Sequence, residues 1–380
     1  MLVMIHRFAL QNFKGHQTTE LELGRFTLLV GENASGKTSV LDALALQAAI
    51  VDDPVAFASQ DDWLHDLVRC GADGPVALSA HGQRRPGQPR NTGRVQHTED
   101  WNTTLTLDPG SGVAGDARTH QWLEIVGRAG ETEIQAAATS LVVSTVEAWA
   151  RAAALIGTTG LYRLRAEAIA AAAYSERTEV RIEADGTNTA VALAAMKLAD
   201  DEAFERVESG LRKVVPSVDR VRIRRAKVQH ATTPTDVVGS KLYFDFRGAP
   251  DVPADGASHG TLIVLALLTI LHGANRPCLI LLDDFDHALH PRAQFELVRM
   301  LRGLLALDEF ANVQIVATTH SPYVLDELEP SDIYAFALRP DGIVAARRLS
   351  EHPDAETARG SLKAGQLWSL DPERSWVLKA

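Results

Sequence analysis

The sequence predicts an α/β fold built around a mainly parallel β-sheet. The segments "PCLILLDD" and "NVQIVATTHS" contain short, continuous apolar runs, as expected of strands that are buried on both faces. The segments "SHGTLIVLALLTILHGA" and "PRAQFELVRMLRGLLAL" have the length and apolar content of helices, and each precedes one of these strands. This alternation of helices and buried strands is typical of a parallel sheet that is covered by helices.

Residues 1–135 predict strands, one helix and a flap. "LVMIHRFALQNF" and "TTELELGRFTLLVG" have the pattern of strands, and "KTSVLDALALQAAI" has the pattern of a helix. Further on, "GPVALSA", "NTTLTLD" and "HQWLEIV" predict short strands that are separated by stretches rich in Gly and Pro. We interpret residues 51–135 as an antiparallel β flap.

The middle of the chain predicts helices, and the C-terminal part returns to strands. Residues 136–213 are rich in Ala, Leu, Glu and Arg and are interrupted at "LIGTTG" and "EADGTN". After these, "DRVRIRRAKVQ" predicts a strand with one apolar and one basic face, "KLYFDFRG" predicts another strand, and "DIYAFALRPDGIVAARRLSEH" predicts a closing β-hairpin. We divide the chain into 1–135, a helical insertion at 136–216, and 217–380.

Composition and charge narrow the classes of function. The 380 residues carry a formal net charge of −11, which argues against a protein whose whole surface binds nucleic acid, since phosphate contacts need Lys and Arg. The two cysteines, Cys70 and Cys278, lie far apart and in no metal-ligand spacing. The longest apolar run, residues 262–271, is about half of what spans a bilayer. We therefore expect a cytoplasmic protein that does not contact a membrane.

The segment "GENASGKTS" matches the pattern G-x-x-x-x-G-K-[ST] of a phosphate-binding loop, or P-loop. The glycines let backbone N–H groups surround a polyphosphate at the N-terminus of a helix. In this pattern Lys37 reaches the β and γ phosphates, and the Thr38 hydroxyl is a ligand of Mg²⁺. Because a strand precedes the loop and a helix follows it, an ordinary Gly-rich turn is the weaker interpretation. The expected binding residues are Gly31, Asn33, Ser35, Gly36, Lys37, Thr38 and Ser39.

Two adjacent aspartates end the buried strand "LILLDD". A P-loop needs a carboxylate on a neighbouring strand to hold Mg²⁺, and Asp283 is the candidate, because the ends of parallel strands gather at one ligand crevice. Asp284 would point to the opposite face if the strand continued, whereas at the strand end it can turn and orient the attacking water. An aspartate here could also simply cap a turn or helix. Given the P-loop, we favour the catalytic interpretation.

His320 ends the next buried strand, "NVQIVATTHS". A single histidine at a strand end is usually structural. One helix separates this strand from the strand that ends in Asp283, so we expect His320 beside the same crevice. There it could sense or hold the γ phosphate.

The order of five segments resembles that of a known family. They are "NF" near the N-terminus, "GENASGKT", "ASHGTLIVLALLTIL", "LILLDDFDHALHP" and "VATTHSPYVLD". The chain resembles the ABC-type ATPase heads of the RecF/SMC superfamily, and most closely their OLD-like (overcoming-lysogenization-defect) branch of AAA family ATPases. The resemblance covers nearly the whole chain. It implies a P-loop NTPase with an ABC-ATPase-like head, in which a mainly parallel sheet carries the antiparallel β flap and the helical insertion.

The resemblance also implies ATP and Mg²⁺ as ligands and an ATP-dependent homodimer. Ser258 and Gly260 would be the signature that contacts the γ phosphate of ATP held by the second subunit, although a simple helix N-cap uses the same groups. His320 would be the switch histidine, and residues 288–290 the loop that crosses the dimer interface. Residues 1–135 and 217–380 would be the two ATPase lobes, the first with the P-loop and the second with the signature, the Asp283 strand and the switch histidine.

Three points differ from the family pattern. For the glutamine that usually joins the lobes, Gln60 is our candidate, while we expect Gln47 to be an ordinary helix residue. The Asp-Glu pair of such heads is Asp-Asp here, and because aspartate is one methylene shorter, Asp284 must lie closer or act through a water, which predicts slow turnover. Finally, the sequence after His320 carries no carboxylate cluster in the style of the OLD-type nuclease domain. Any DNA cutting would then come from a partner.

Three functions remain open at this stage. The first is an ATPase whose ATP-bound homodimer gates a DNA-related effector, and the resemblance to stand-alone heads of Septu type implies anti-phage defence. The second is an ATP-gated scaffold or sensor with negligible hydrolysis that regulates a partner nuclease. The third is a small-molecule kinase, against which the signature and the His320 strand argue.

DNA contact is the least certain of the partner predictions. The segment "RVRIRRAK" at 220–227 is basic, and so is "RRPGQPRNTGR" at 84–94. Neither is interleaved with aromatic residues that could stack on bases. A solvated strand face explains the first segment equally well.

Overall fold

The computed structural model describes residues 2–58, 63–64, 66–72, 74–85, 98–108, 122–138, 146–177, 179–229, 236–358, 360–370 and 373–378. The chain forms two compact units. Unit 1 comprises Met1–Gly160, Cys278–Leu281 and Leu305–Ala380, and unit 2 comprises Leu161–Pro277 and Leu282–Leu304. The three-segment division proposed from the sequence stays a prediction.

The secondary structure alternates between strands and helices along the described residues. The strands are β1 (Leu2–Phe13), β2 (His16–Glu22), β3 (Phe26–Gly31), β4 (Val76–Arg85), β5 (Glu99–Asp108), β6 (Trp122–Ala129), β7 (Thr132–Ala138), β8 (Thr159–Tyr162), β9 (Val218–Gln229), β10 (Asp236–Phe246), β11 (Ala249–Pro253), β12 (Leu279–Leu282), β13 (Gln314–Thr319), β14 (Ile333–Leu338) and β15 (Val344–Arg348). The helices are α1 (Lys37–Asp52), α2 (Pro54–Ala58), α3 (Val146–Ile156), α4 (Ala166–Ala170), α5 (Thr189–Ala199), α6 (Asp201–Val214), α7 (His259–His272), α8 (Pro291–Leu305), α9 (Pro322–Leu325), α10 (Ala355–Ala358), α11 (Ala364–Leu370) and α12 (Glu373–Trp376).

Unit 1 contains an antiparallel sheet with the strand order β2-β1-β4-β5-β6-β7. Every second side chain of β5 is buried from Trp101 to Leu107, as the two-residue period of a half-covered strand requires. The antiparallel flap is therefore confirmed, but it is not a separate element. The long strand β1 pairs with β2 on one side and with β4 on the other, so the N-terminal hairpin and the flap form one sheet.

A second sheet has the strand order β15-β14-β3-β13-β12-β8. Its strand β3 pairs in parallel with β13 and β14, and all six of its residues are buried, as predicted. The closing hairpin is confirmed as the antiparallel pair β14 and β15. The segment "TTELELGRFTLLVG" is two strands rather than one, because the chain leaves the antiparallel sheet after Glu22 and enters the parallel sheet at Phe26.

The helices α3 to α6 confirm the helical middle region, with breaks at the two predicted places. Strand β8 corrects it, because this strand interrupts the helical segment. The Leu279 N–H donates to the Thr158 carbonyl at 3.0 Å and the Asp283 N–H donates to the Tyr162 carbonyl at 3.0 Å, so β8 and β12 run in the same direction. The sequence does not predict β8, since a strand of four residues is too short to display a period.

Unit 2 combines helices with a three-stranded sheet of order β11-β10-β9. Every residue of α7 from Gly260 to His272 is buried, which explains why this helix is apolar on all sides. Strand β9 has the predicted apolar and basic faces, with Val218 and Val221 buried and its arginines largely exposed. None of the helices in the described part of the chain has the length and apolarity needed to cross a bilayer.

Candidate functional site

The P-loop in unit 1 joins the end of β3 to the start of α1. Gly31 has φ +148° and Gly36 has φ +99°, conformations that side chains rarely adopt. A Cβ atom at Gly31 would lie 2.3 Å from the Phe336 carbonyl oxygen, and one at Gly36 would lie 2.7 Å from a methyl of Val344. Both positions therefore require glycine. The result is a tightly folded loop whose backbone leads directly into the N-terminus of a 16-residue helix.

Lys37 is folded back onto this loop and is almost fully buried. Its Nζ donates to the carbonyl oxygens of Gly31 at 2.9 Å and Glu32 at 2.7 Å. A buried ammonium group needs such acceptors, because an unsolvated charge is costly. These carbonyl groups hold the lysine at the mouth of the loop.

The Ser35 hydroxyl is a buried polar atom for which the described residues provide no hydrogen-bond partner. Its oxygen lies 3.0 Å from the place where a Gly31 Cβ would stand, so it points into the loop. Buried hydroxyl groups are normally hydrogen-bonded. An anion held by the loop would supply the missing acceptor. The exposed Asn33 and Thr38 and the half-buried Ser39 complete the predicted binding set.

His16 supports the P-loop from β2 and was not predicted from the sequence. It is fully buried, its Nε2 lies 3.1 Å from the Gly36 carbonyl oxygen, and its Nδ1 lies 2.8 Å from the Thr19 hydroxyl. Burial lowers the pKa of His16 to about 4. The neutral ring therefore donates from Nε2 to Gly36 and accepts at Nδ1 from Thr19.

His320 lies at the same edge of the parallel sheet as the P-loop. Thr319, the last residue of β13, pairs with Val30, the residue before Gly31. The parallel register thus brings the predicted switch histidine and the predicted phosphate loop to neighbouring strand ends. His320 is exposed, and α9 begins two residues later.

The paired aspartates follow β12, in unit 2, and their environments differ. The Asp283 side chain is 11% exposed and accepts from Arg163 Nε at 3.0 Å. Asp284 is exposed and has φ +47°, so the strand ends here. This left-handed backbone agrees with the expectation that Asp284 turns away from the direction of the strand.

A third carboxylate, Asp286, lies in the same loop and was also not predicted. It is buried, and Gln294 Nε2 of α8 lies 3.3 Å from its side chain and 3.3 Å from its carbonyl oxygen. Ala288 follows with φ +66°. The hydrogen bonds of Gln294 fix the loop that leads to Leu289 and His290.

Ser258 and Gly260 lie at the start of α7, also in unit 2. The Ser258 hydroxyl accepts from the Thr261 N–H at 3.2 Å and lies 2.7 Å from the Thr261 hydroxyl, so it caps the helix. A Cβ at Gly260 would lie 2.8 Å from Leu289 Cδ2 and 3.1 Å from the Ala288 carbonyl oxygen. The structure therefore brings the predicted signature and the predicted interface loop into contact. We call residues 258–260 and 288–290 the signature surface.

The glutamine prediction divides into two outcomes. Gln60 lies outside the described residues. Gln47 is buried in α1, and its Nε2 donates to the Leu78 carbonyl oxygen at 3.1 Å, which is the helix-packing role we expected.

The basic face of β9 is largely balanced by carboxylates. Arg222 forms an ion pair with Asp245 at 2.6 Å, and Arg224 pairs with Asp251. Hydrogen bonding by Arg222 holds the pKa of the Asp245 carboxyl below its usual range. An arginine that is paired with a carboxylate is less available to a phosphate, which favours the interpretation as a solvated strand face.

Comparison with known proteins agrees with this fold and these elements. Residues 146–326 match a family model for an "AAA domain" whose description also names the AbiEii toxin and a Type IV TA system. Residues 4–56, which include the P-loop, match a model described as "AAA ATPase domain".

Two individual proteins are similar to the chain. The Septu protein PtuA of Bacillus thuringiensis is 32% identical over 71 residues, which is 19% of this chain and 17% of that protein's length. The structure of an SMC head bound to the C-terminal winged-helix domain of ScpA superposes with a TM-score of 0.51 at 13% identity, over 91% of this chain and 98% of that one. At this identity the superposition concerns the fold alone.

The P-loop with its required glycines, the strand ends of the parallel sheet and the two ATPase-domain matches therefore lead to one conclusion. The chain is an ABC-type ATPase head of the RecF/SMC/OLD-like kind.

Proposed function

We propose that this chain binds ATP at its P-loop. The observation that carries the proposal is the loop itself, in which Gly31 and Gly36 have no room for a Cβ and the Ser35 hydroxyl lacks a partner among the described residues. The loop N–H groups and the start of α1 offer a positive end to a phosphate. Lys37 would move from its loop carbonyls to the β and γ phosphates.

Magnesium fits the donors that the chain offers, because it prefers oxygen ligands such as hydroxyl and carboxylate groups. The Thr38 hydroxyl and the Asp283 carboxylate would hold it, and its charge would offset that of the phosphates. Asp284 would orient the attacking water, and His320, at the strand end next to the P-loop, would contact the γ phosphate.

We propose further that ATP joins two copies of the chain. The support is the contact of Gly260 with Leu289 and the Ala288 carbonyl oxygen, which makes the signature surface a single structural feature. Ser258 stands at the N-terminus of a 14-residue helix, where the helix dipole favours an anion. In the dimer this surface would face ATP held by the partner copy, and hydrolysis would reopen the dimer.

A second candidate function is an ATP-gated scaffold or sensor with negligible hydrolysis. Asp284 favours it, since the carboxylate is short and lies on an exposed, left-handed residue. A misplaced water-orienting group costs orders of magnitude in rate while leaving ATP binding intact.

In either case we propose that the chain acts through a partner effector, such as a nuclease, in anti-phage defence. The support is the similarity to a Septu protein over 71 residues. Direct DNA binding has less support, because the carboxylates of Asp245 and Asp251 offset two arginines of β9.

Calorimetric titration with ATP and Mg²⁺, followed by measurement of phosphate release, tests the proposal. Wild type should bind ATP, and Lys37→Ala should lose at least about tenfold in affinity, because a charged hydrogen bond to phosphate is lost. Lys14→Ala, which removes the ion pair with Asp42 in the same unit, is a control for general charge effects. Equal ATP affinity in wild type and Lys37→Ala would refute ATP binding at this loop.

Phosphate release separates the two candidate functions. The enzyme function requires wild type to release phosphate faster than Lys37→Ala. If both proteins bind ATP differently but release phosphate equally slowly, the scaffold function is the correct one.

A further inference from the structure

Asp283 already has a cationic partner in this structure. Arg163 Nε donates to Asp283 Oδ2 at 3.0 Å, and the two residues are 120 positions apart in the chain. The carboxylate is 11% exposed, whereas the guanidinium side chain is 49% exposed. One member of the pair is therefore nearly buried and the other reaches solvent.

The backbone holds both residues in place. Asp283 donates its N–H to the carbonyl of Tyr162, the residue before Arg163, at 3.0 Å. Arg163 donates its own N–H to the Ala184 carbonyl at 2.8 Å. The ends of β8 and β12 thus fix the two Cα positions, while the long arginine side chain keeps its rotational freedom.

The charge balance around Asp283 gives this pair a purpose. A carboxylate that is removed from water is costly unless a cation accompanies it. Asp284 and Asp286 follow in the same loop and add negative charge. Arg163 therefore lowers the cost of an ionised Asp283 when no metal ion is bound.

We propose that Arg163 is an exchangeable counterion of Asp283 that competes with Mg²⁺ for this carboxylate. This inference rests on the proposed function, in which Asp283 holds the metal. Asp283 would give up the guanidinium when Mg²⁺ arrives with ATP, and the half-exposed Arg163 would turn toward solvent or phosphate. Arg163 thereby sets the metal concentration at which the head becomes loaded.

A residue of the same segment provides a matched control. Arg165 lies two positions further along, its side chain is 67% exposed, and it lies 3.9 Å from Asp185. The backbone N–H of Arg165 donates to the Asp185 carbonyl at 2.9 Å, as that of Arg163 does to Ala184. Arg165→Gln removes the same charge from the same strand extension without touching Asp283.

The experiment measures metal binding directly, without relying on turnover. Mn²⁺, which replaces Mg²⁺ and has an electron paramagnetic resonance signal, is titrated into the full chain with an ATP analogue whose β–γ bridge is nitrogen. Arg163→Gln should lower the Mn²⁺ concentration at half-saturation by roughly tenfold, the size of effect typical of residues that contact a metal ligand. Arg165→Gln should match wild type.

An unchanged or higher half-saturation concentration in Arg163→Gln would overturn the inference, because an arginine with a purely structural role does not compete with the metal. A shift of the same size in Arg165→Gln would also overturn it, since the effect would then be general electrostatics. Asp283→Asn distinguishes failure of the proposed function. If this variant binds Mn²⁺ as wild type does, Asp283 is not the metal ligand, and both the assignment and the inference fail.

Thermal melting without metal provides a second readout that does not depend on nucleotide. Arg163→Gln should melt below wild type, because it leaves the Asp283 charge without this partner. The double variant Arg163→Gln/Asp283→Asn should recover much of the loss, since the buried charge is gone. A double variant that melts lower than Arg163→Gln would contradict the counterion role.

Discussion

The His16 ring and the Gly36 carbonyl are joined by a hydrogen bond of 3.1 Å, which ties the strand β2 to the residue that precedes Lys37. Gly36 is also the N-cap residue of α1 and has a left-handed backbone. The neutral histidine therefore stabilises the conformation in which the phosphate loop enters its helix. A substitution that cannot donate at this point would loosen the loop without touching a ligand.

This hydrogen bond predicts a pH-dependent stability. The folded protein has a His16 pKa of about 4, against 6.5 in the unfolded chain, because burial disfavours the charged ring. Between these values the unfolded state binds more protons, so the contribution is fully present above about pH 6.5 and is lost as the pH falls through this window. The loss at low pH should approach about 3 kcal/mol.

Urea unfolding of wild type and His16→Gln at about pH 7 and about pH 4.5 measures this effect. The free energy of unfolding should fall more steeply with acid in wild type than in the variant, because glutamine does not titrate. His6→Gln, at an exposed histidine of β1, should behave as wild type. Parallel pH profiles for wild type and His16→Gln would contradict the account.

Gly31→Ala should disrupt the P-loop. The new methyl would lie 2.3 Å from the backbone oxygen of Phe336, which cannot rotate away. We expect a loss of at least about 2 kcal/mol in the free energy of unfolding together with loss of ATP binding. Gly342→Ala is the matched control, because its φ is +80° but nothing lies within 4 Å of the added atom. It should cost about 1 kcal/mol and leave ATP binding intact; similar losses in both variants would rule out the steric argument.

Gly260→Ala should separate ATP binding from dimerisation. Its methyl would press on Leu289 and the Ala288 carbonyl oxygen and shift the signature surface, at a cost of about 1 kcal/mol in stability. Light scattering should then find a weaker ATP-dependent dimer, while calorimetry finds unchanged ATP affinity in the monomer. Gly303→Ala on α8, where the added atom meets nothing within 4 Å, should dimerise as wild type. Unimpaired dimerisation of Gly260→Ala would contradict the proposed interface.

Asp284→Glu should accelerate phosphate release. If the short carboxylate limits turnover, the added methylene should bring it to the water and raise the rate by about tenfold or more, because catalytic rates respond steeply to positions of this kind. Asp284→Asn, which keeps the size but removes the base, should release phosphate more slowly than wild type. A glutamate variant no faster than wild type would show that the side-chain length is not the limit.

The parts that sequence predicts best are those that local geometry determines. Gly31, Gly36 and Lys37 belong to one short loop whose chemistry follows from adjacent residues, and the strand that ends in Asp283 has a simple apolar pattern. The contacts missed are those between distant positions. His16 and Gly36 are 20 residues apart, and Arg163 and Asp283 are 120 apart, so no local pattern joins them. Strand β8 is too short to have a period, and it exists because β12 offers it hydrogen bonds.

The most direct test of the central claim, that two copies form composite ATP sites, mixes two inactive variants. Lys37→Ala should disable its own P-loop, and Ser258→Arg should block its own signature surface. In an equimolar mixture half of the dimers are mixed, and each mixed dimer has one intact site, so the account predicts phosphate release at about one quarter of the wild-type rate. A mixture that releases phosphate no faster than the average of the two separate variants would contradict it.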